Sequence, residues 1–318
     1  MTKHDVIIIG GSLAGSACVR ELERLGVDAI ALERARFPRA KVCGGFVSPG
    51  AVKCLGRLGL LDEVRQAGAV EVTSASVRLQ SLEVMFPFEL PGLGISRSML
   101  DDVAARGARV EQGCAVHEVT REDRGFGVDG MACSVVIDAA GKLSRFTKRN
   151  SVGEFGIQYI RSGTPKPVLH FSFFEDGYGG TVSIEGGRSN SCFLIKKAAL
   201  RRYIDREDCL VTGPLAYDKV PGEFIAIGDA AGMVDPFCGE GIRHALETGM
   251  LAARVVAEGI RRGATYEEMK WEYEAQRDRR WAVRKMMGQM IRRLLAHRRV
   301  FARGLRLAPV WVLNRVWD

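Results

Sequence analysis

The 318-residue sequence predicts an α/β fold, in which a Rossmann-like nucleotide-binding domain carries a β-rich insertion and a helical C-terminal tail. Three observations predict it. Residues 5–33 have the order strand, glycine turn, helix and strand, which is typical of a dinucleotide-binding unit. Residues 155–195 contain short apolar or alternating runs separated by turn glycines, which favours a β-sheet. Residues 265–307 have the apolar spacing of helices and are strongly basic.

The N-terminal unit is predicted to contain a strand over residues 5–9, a turn over 10–15, a helix over 16–25 and a strand over 27–32. Gly10 permits the tight turn, and Gly15 permits close packing of the helix on the strand. Ser12 stands where a middle glycine is usual, and it is small enough to admit a phosphate. The helix N-terminus is suited to a pyrophosphate, and Glu33, about twenty residues after the turn, is suited to a ribose. The sequence therefore predicts a dinucleotide site.

The remaining elements are predicted in order. They are a helix over 48–60, a hairpin of strands 72–80 and 82–90, a short helix capped by Ser96, strands over 109–113, 115–122 and 134–138, strands over 155–160, 168–174, 180–184 and 191–195, a helix over 198–206, a strand over 224–227, and helices over 242–260 and 265–307. The predicted domains are a discontinuous nucleotide-binding domain (1–71, 95–150 and 213–262), a β-rich substrate domain (72–94 and 151–212) and the basic C-terminal helices (263–318).

Composition narrows the class of protein. Hydrophobic residues make up 47% of the chain, which is enough for a packed core. The eight cysteines contain no C-x-x-C pair and the five histidines have no metal-ligand spacing, so we expect a reducing compartment and no metal site. A strand begins almost at the first residue, so we expect no signal peptide, and no apolar run approaches the roughly 20 residues of a membrane span. We expect a cytoplasmic protein.

Basic residues are concentrated at the C-terminus. Residues 277–318 contain twelve Lys and Arg but two Asp, whereas the whole chain has a formal net charge of +8. One interpretation is an amphipathic helix that packs on the body of the protein. Another is a helix that lies on a membrane surface, peripheral at its inner face, because arginines flank apolar and Trp residues. Nucleic-acid binding is disfavoured because no nucleic-acid-binding fold accompanies the charge.

Two further motifs follow buried strands, Asp138-Ala139-Ala140-Gly141 and the run from Gly228-Asp229 to Gly241. Together with the N-terminal turn, Arg97 and Asp101, they resemble FAD-dependent enzymes of the p-hydroxybenzoate hydroxylase fold. Within that fold, the runs over residues 41–45 (Lys-Val-Cys-Gly-Gly) and 236–242 (Pro-Phe-Cys-Gly-Glu-Gly-Ile) are similar to the geranylgeranyl reductase family. The resemblance covers roughly residues 4–260, and it implies an FAD-binding domain of the glutathione reductase type.

The resemblance also implies how FAD binds. Asp229 is expected to contact the ribityl or pyrophosphate part, and the helix start at Gly239–Ile242 is expected to face flavin N1 and O2, where it stabilises negative charge. The expected cofactor-binding residues are Gly10, Ser12, Ala14, Gly15, Glu33, Arg34, Lys41, Arg97, Asp229, Pro236, Gly239, Gly241 and Ile242. Cys43 is expected beside the isoalloxazine ring, either as the catalytic proton donor or as a small buried residue. Cys238 is expected to serve packing.

The implied function is an FAD-dependent oxidoreductase that acts on a small apolar (isoprenoid, lipid-like or polyketide-like) substrate. Reduced flavin, with NAD(P)H as the candidate reductant, would pass hydride to a C=C bond. Two departures from the family pattern keep alternatives open. Ala140 stands where the hydroxylases usually have Asp, and the reductase signature Tyr-x-Trp-x-Phe-Pro is matched only at Tyr178. The alternatives are a monooxygenase that hydroxylates an aromatic or lipid substrate through a C4a-hydroperoxide, and a catalytically weak, membrane-associated flavin-binding protein.

Overall fold

The computed structural model describes residues 3–123, 125–147, 153–164, 166–204, 208–216, 222–234 and 239–314. The strands are β1 (Lys3–Ile9), β2 (Ala29–Glu33), β3 (Phe46–Val47), β4 (Val70–Leu79), β5 (Leu82–Gly94), β6 (Val110–Gln112), β7 (Val119–Glu122), β8 (Gly125–Val128), β9 (Met131–Asp138), β10 (Glu154–Ser162), β11 (Val168–Phe174), β12 (Gly177–Ile184), β13 (Arg188–Lys196), β14 (Cys209–Thr212) and β15 (Ile225–Ala226). The helices are α1 (Leu13–Arg24), α2 (Pro49–Arg57), α3 (Leu61–Gln66), α4 (Arg97–Ala105), α5 (Arg201–Ile204), α6 (Gly241–Arg261), α7 (Tyr266–Ala296), α8 (Arg298–Leu307) and α9 (Val310–Asn314). The predicted α/β class is confirmed.

The first sheet has the strand order β6-β2-β1-β9-β8-β7, with β15 paired to β9. β1 pairs in parallel with β2 and β9, and β15 also runs parallel to β9. The carboxyl ends of these parallel strands therefore lie along one edge, where the turns that follow β1, β9 and β15 come together. α1 and α6 cross closely there, because a Cβ on Gly249 would lie 2.4 Å from the Ala14 carbonyl oxygen.

The second sheet has the order β14-β10-β13-β12-β11-β4-β5-β3. The β4–β5 hairpin pairs antiparallel, as predicted, and β4 pairs in parallel with β11, about ninety residues later in the chain. Val72, Phe86 and Ile184 contribute to an apolar core on one face of this sheet. The short strand Phe46–Val47 pairs with the end of β5, so the loop that contains Cys43 reaches this sheet. The assignment of segments to domains stays a prediction.

Several predicted boundaries were wrong. The helix predicted over 48–60 is α2, which ends at Arg57 because Gly59 adopts a φ of +71°, and a separate helix, α3, begins at Leu61. The strand predicted over 115–122 begins only at Val119. The helix predicted over 198–206 is a 3-10 turn followed by the short α5, and part of it lies outside the described residues.

The C-terminal helices pack on both sheets. In α7, the Tyr266 hydroxyl donates to the Val136 carbonyl at 3.0 Å and the Tyr273 hydroxyl donates to the Ala226 carbonyl at 2.9 Å, which fixes this helix to β9 and β15. Residues 266–307 are helical, as predicted, but the helix breaks at His297, which leaves helical geometry (φ −113°, ψ 65°), and α8 turns toward the second sheet. In the described part of the chain, no helix is long and apolar enough to cross a membrane.

Candidate cofactor and substrate site

A cavity of about 230 Å³ lies between the carboxyl edge of the first sheet and one face of the second. Nine of the predicted site residues line it, although they come from five separate segments of the chain. They are Ser12, Ala14, Lys41, Cys43, Arg97, Asp229, Gly239, Gly241 and Ile242. Gly10, Gly15, Glu33 and Arg34 are not among the lining residues. Pro236 and Cys238, to which the sequence assigned cofactor binding and packing respectively, lie outside the described residues.

The turn after β1 is shaped by two glycines. Gly10 has a φ of +106°, and a Cβ there would lie 2.6 Å from the Ala139 carbonyl oxygen. A Cβ on Gly15 would lie 1.8 Å from the Gly10 carbonyl oxygen, so only glycine permits this crossing of β1 and α1. Ser12 caps no amide of α1, and the first turn of that helix contains no acidic residue. This helix N-terminus is therefore suited to an anion such as a pyrophosphate.

Glu33 is not among the residues that line the cavity. Its carboxylate is buried and accepts hydrogen bonds from the Gly11 amide at 2.9 Å and the Ala35 amide at 3.0 Å. These two bonds hold the carboxylate at the end of β2, where the predicted ribose contact requires it. Arg34 is exposed next to it. The roles of Glu33 and Arg34 at the adenosine end stay predictions.

A buried ionic network joins α4 to the turn after β1. The Arg97 guanidinium donates to the Asp101 carboxylate at 2.8 Å and to the Ser12 hydroxyl at 3.0 Å, and this hydroxyl donates to Asp101 at 3.1 Å. Burial alone lowers the pKa of Arg97, but Asp101 and the nearby Cys43 thiol outweigh burial and leave the pKa above its ordinary value. The cavity therefore has a permanent cation on the wall that contains Ser12 and Cys43.

The backbone of Cys43 is held by the second sheet. The Cys43 amide donates to the Gln158 side-chain oxygen at 3.3 Å, and the Cys43 carbonyl accepts from the Asn190 amide group at 2.9 Å. Gln158 also donates to Asn190 at 2.8 Å, and both side chains are buried. Gly45 has a φ of +72°, and a Cβ there would lie 2.7 Å from Asn190. Gln158 and Asn190 were not among the predicted site residues, because Gln158 was only a polar amide in the predicted strand 155–160 and Asn190 stands among serines just before the predicted strand 191–195.

Two half-buried lysines approach the cavity. Burial, with Arg97 acting in the same direction, lowers the pKa of Lys41 to about 8. The Lys142 ammonium group donates to the Thr212 hydroxyl, and burial lowers its pKa below the ordinary value despite the opposing charge of Asp229. The sequence gave no reason to select Lys142, because only the fold brings β14 to the turn after β9.

Asp229 and the start of α6 also line the cofactor half of the cavity. The Gly228 amide donates to the Thr248 hydroxyl at 2.8 Å, which fixes the Asp229 turn to α6. Gly239 has a φ of +61°, and no side chain caps the first turn of α6. The cavity is thus bordered by the N-termini of α1 and α6. One is suited to a phosphate and the other to an electron-rich ring, and these features fit FAD.

The second sheet supplies the apolar half of the cavity. Its side chains project from β11, β12 and β13 and include Leu169, Phe171, Tyr178, Phe193 and Leu194. The Phe171 and Tyr178 rings contact each other at a tilt of 32°, with ring centroids 5.8 Å apart. No group of three or more His, Cys, Asp or Glu residues suited to a metal ion occurs among the described residues.

Comparison with known proteins gives a consistent picture. The family model "FAD binding domain" matches residues 3–130. A menaquinone reductase of Mycolicibacterium smegmatis is 31% identical over 320 residues, covering 81% of this chain and 77% of the relative. A digeranylgeranylglycerophospholipid reductase of Thermoplasma volcanium is 31% identical over 361 residues, covering 91% and 89%. The solved structure of a flavin-dependent brominase superposes with a TM-score of 0.80 at 18% identity, covering 100% of this chain and 95% of that one.

The brominase shares the fold alone, whereas the two reductases are similar in sequence over most of their length. The resemblance inferred from the glycine turns and from the Asp229–Ile242 region is confirmed. FAD is the cofactor, as predicted. The chain belongs to the family of FAD-dependent oxidoreductases that includes the menaquinone reductases and the digeranylgeranylglycerophospholipid reductases.

Proposed function

We propose that this oxidoreductase reduces a C=C bond in an apolar, isoprenoid or lipid-like substrate. The observation that carries the proposal is the division of the cavity. One wall presents Arg97, Asp229 and the start of α6, while the facing sheet presents Leu169, Phe171 and other apolar side chains. An apolar chain and a flavin ring can therefore meet without burying an unpaired polar group of the protein.

The relatives support a lipid substrate. The proteins that are 31% identical to this chain are named for menaquinone and for digeranylgeranylglycerophospholipid, and both are named reductases. We propose the same class of reaction here, with the substrate seated against β11–β13.

Alkene reduction requires a hydride on one carbon and a proton on the other. When bound, FAD in its reduced form supplies the hydride, with NAD(P)H as the proposed source of electrons. We assign the proton to the Cys43 thiol, which lines the cavity and whose backbone is fixed by Gln158 and Asn190. The thiolate then regains a proton from water. Arg97 and the start of α6 favour negative charge in the cofactor half.

Product analysis tests the reaction type. The FAD-loaded protein would be reduced with NAD(P)H without oxygen and mixed with menaquinone or a geranylgeranylated lipid in detergent. After air has reoxidised any quinol, we expect a product that has gained two hydrogens in its isoprenoid chain, located by fragmentation in mass spectrometry, and a formation rate that does not depend on oxygen.

A product that gains one oxygen atom, formed only in air, would instead establish the monooxygenase. A protein that binds FAD but converts neither lipid under either condition would contradict the proposed reduction and favour a flavin-binding protein without turnover.

A further inference from the structure

The helices α8 and α9 are fixed to the sheet that lines the cavity. Phe301 packs edge-on against Phe173 with ring centroids 5.3 Å apart, and Leu305 is buried in the same apolar cluster as Phe171. The Asn314 side chain donates to the Pro87 carbonyl at 3.1 Å. The inner faces of these helices are therefore part of the substrate-side core.

Three large apolar side chains are exposed where α8 ends and α9 begins. Leu307 is 82% exposed, Val310 is 44% exposed and Trp311 is 63% exposed, all within five residues of the chain. Arg303 and Arg306 are exposed on α8 beside them. We call these five residues the α8–α9 rim. Single exposed apolar side chains are ordinary, but three large ones together with arginines are typical of a surface that meets another phase or partner.

The positive charge of the C-terminal segment indicates which kind of partner the α8–α9 rim would bind. No Asp or Glu occurs from residue 279 to residue 317, a segment with many arginines. A second copy of the chain placed on the rim would bring arginine against arginine, which is unfavourable. A bilayer that contains anionic phospholipid offers both an apolar interior for Leu307 and Trp311 and negative headgroups for Arg303 and Arg306.

Trp271 provides an internal comparison. It is 73% exposed on α7, more than Trp311, but its neighbours along the helix include Glu267, Glu268 and Glu272. An exposed tryptophan in acidic surroundings lacks the electrostatic attraction that the rim has for an anionic surface.

We propose that the α8–α9 rim docks on the surface of membranes that contain anionic phospholipid. The helices lie on the surface and do not cross it. Docking places the substrate-side sheet next to the bilayer, from which an apolar substrate can enter the cavity. The docking itself needs no turnover, so its test is independent of the proposed reaction.

The test measures binding of the full-length, FAD-loaded protein to sucrose-loaded vesicles by sedimentation. Vesicles of phosphatidylcholine with phosphatidylglycerol are compared with phosphatidylcholine alone. We expect binding to the anionic vesicles and at least about tenfold weaker binding to the neutral ones. Trp311→Ser and the pair Arg303→Glu/Arg306→Glu should each weaken binding to anionic vesicles by about tenfold or more, whereas Arg303→Lys/Arg306→Lys should retain it.

The matched controls are Trp271→Ser on α7 and the double variant Arg57→Glu/Arg65→Glu on α2 and α3. These three residues are exposed and lie outside the rim, so both control variants should bind vesicles as the wild type does. Flavin content and thermal unfolding midpoint verify that each variant is folded. Equal binding of the rim variants and the controls, equal binding to both kinds of vesicle, or no vesicle binding by the wild type would overturn the proposal. A self-association that Trp311→Ser abolishes, without vesicle binding, would assign the rim to a second copy and also overturn it.

Discussion

The Arg97 guanidinium and the Asp101 carboxylate meet at 2.8 Å across one turn of α4, and the Asp101 side chain is fully buried. This pair also holds the Ser12 hydroxyl at the start of α1. These hydrogen bonds fix the turn after β1 to α4. Removal of either Arg97 or Asp101 would leave the charge of the other buried and unpaired, so both residues are sensitive to substitution.

Asp101→Asn should lower the free energy of unfolding by about 3–5 kcal/mol, since the Arg97 charge then stays buried without its carboxylate. FAD retention should fall as well. Urea denaturation and flavin content after gel filtration measure the two effects. The control is Asp102→Asn, which breaks an exposed pair with Arg106 and should cost about 0.5 kcal/mol or less. Equal losses for the two variants would contradict the structural importance of the buried pair.

Asp229→Ala should weaken FAD binding by about 10- to 100-fold, because it removes an acceptor for the sugar-alcohol part of the cofactor. Titration of the apoprotein with FAD, followed by flavin fluorescence, measures the dissociation constant. Asp62→Ala, on an exposed position of α3, should bind FAD as the wild type does. If Asp229→Ala binds FAD with unchanged affinity, the placement of this contact is wrong.

Cys43→Ser should keep FAD bound but reduce turnover by about 100-fold, since a hydroxyl donates a proton far less readily than a thiol. Anaerobic rates with a lipid alkene are the measurement, with absorbance of the bound flavin recorded beside them. Cys114→Ser, which is not among the residues that line the cavity, should leave both quantities unchanged. If the Cys43→Ser protein has the wild-type rate, Cys43 does not donate the proton and serves packing instead.

The buried His244 makes stability depend on pH. Burial lowers the pKa of His244 from its ordinary 6.5 to about 4, and its ring packs edge-on against Trp281. The charged groups that act on it are Asp229, Glu247, Arg277 and Lys285. Between pH 6.5 and about 4 the unfolded chain binds a proton at this position that the folded chain does not. The stabilising contribution is therefore complete above about pH 6.5 and is lost as pH falls through about 4.

The loss amounts to about 3 kcal/mol, and urea denaturation at a series of pH values measures it. His244→Phe keeps an aromatic ring against Trp281. It should reduce the number of protons taken up on unfolding by about one over this range, which flattens the slope of the unfolding free energy against pH. His117→Gln, at an exposed histidine, should retain the wild-type slope. Identical slopes for His244→Phe and the wild type would show that another group is responsible.

The cofactor half of the site was largely predictable because its residues follow local rules. The turn at Gly10–Gly15 and the Asp229 turn each come directly after an apolar strand, and parallel strands end at one edge of a sheet. The local pattern and the resemblance to the flavoenzyme family together placed nine lining residues at one site before their contacts were known. FAD followed from that resemblance.

The apolar half was not predictable in this way. Gln158, Asn190 and Lys142 reach the Cys43 side of the cavity only because the second sheet assembles strands from distant parts of the chain. Sequence periodicity indicates that a strand exists but carries little information on which strand it pairs with. The break at His297 is likewise a tertiary outcome, since it lets α8 pack on that sheet.

By itself, the sequence determined the class of fold and the residues that form the two strand–helix junctions, because these depend on glycine geometry and on strand and helix periodicity. The cofactor followed from the resemblance of these motifs to FAD-dependent enzymes. Tertiary structure decided which apolar side chains face the cofactor, how Cys43 is held, and which face of the basic tail remains exposed. These features arise from contacts between segments far apart in the chain. Which side chains become buried is decided only when both sheets are assembled.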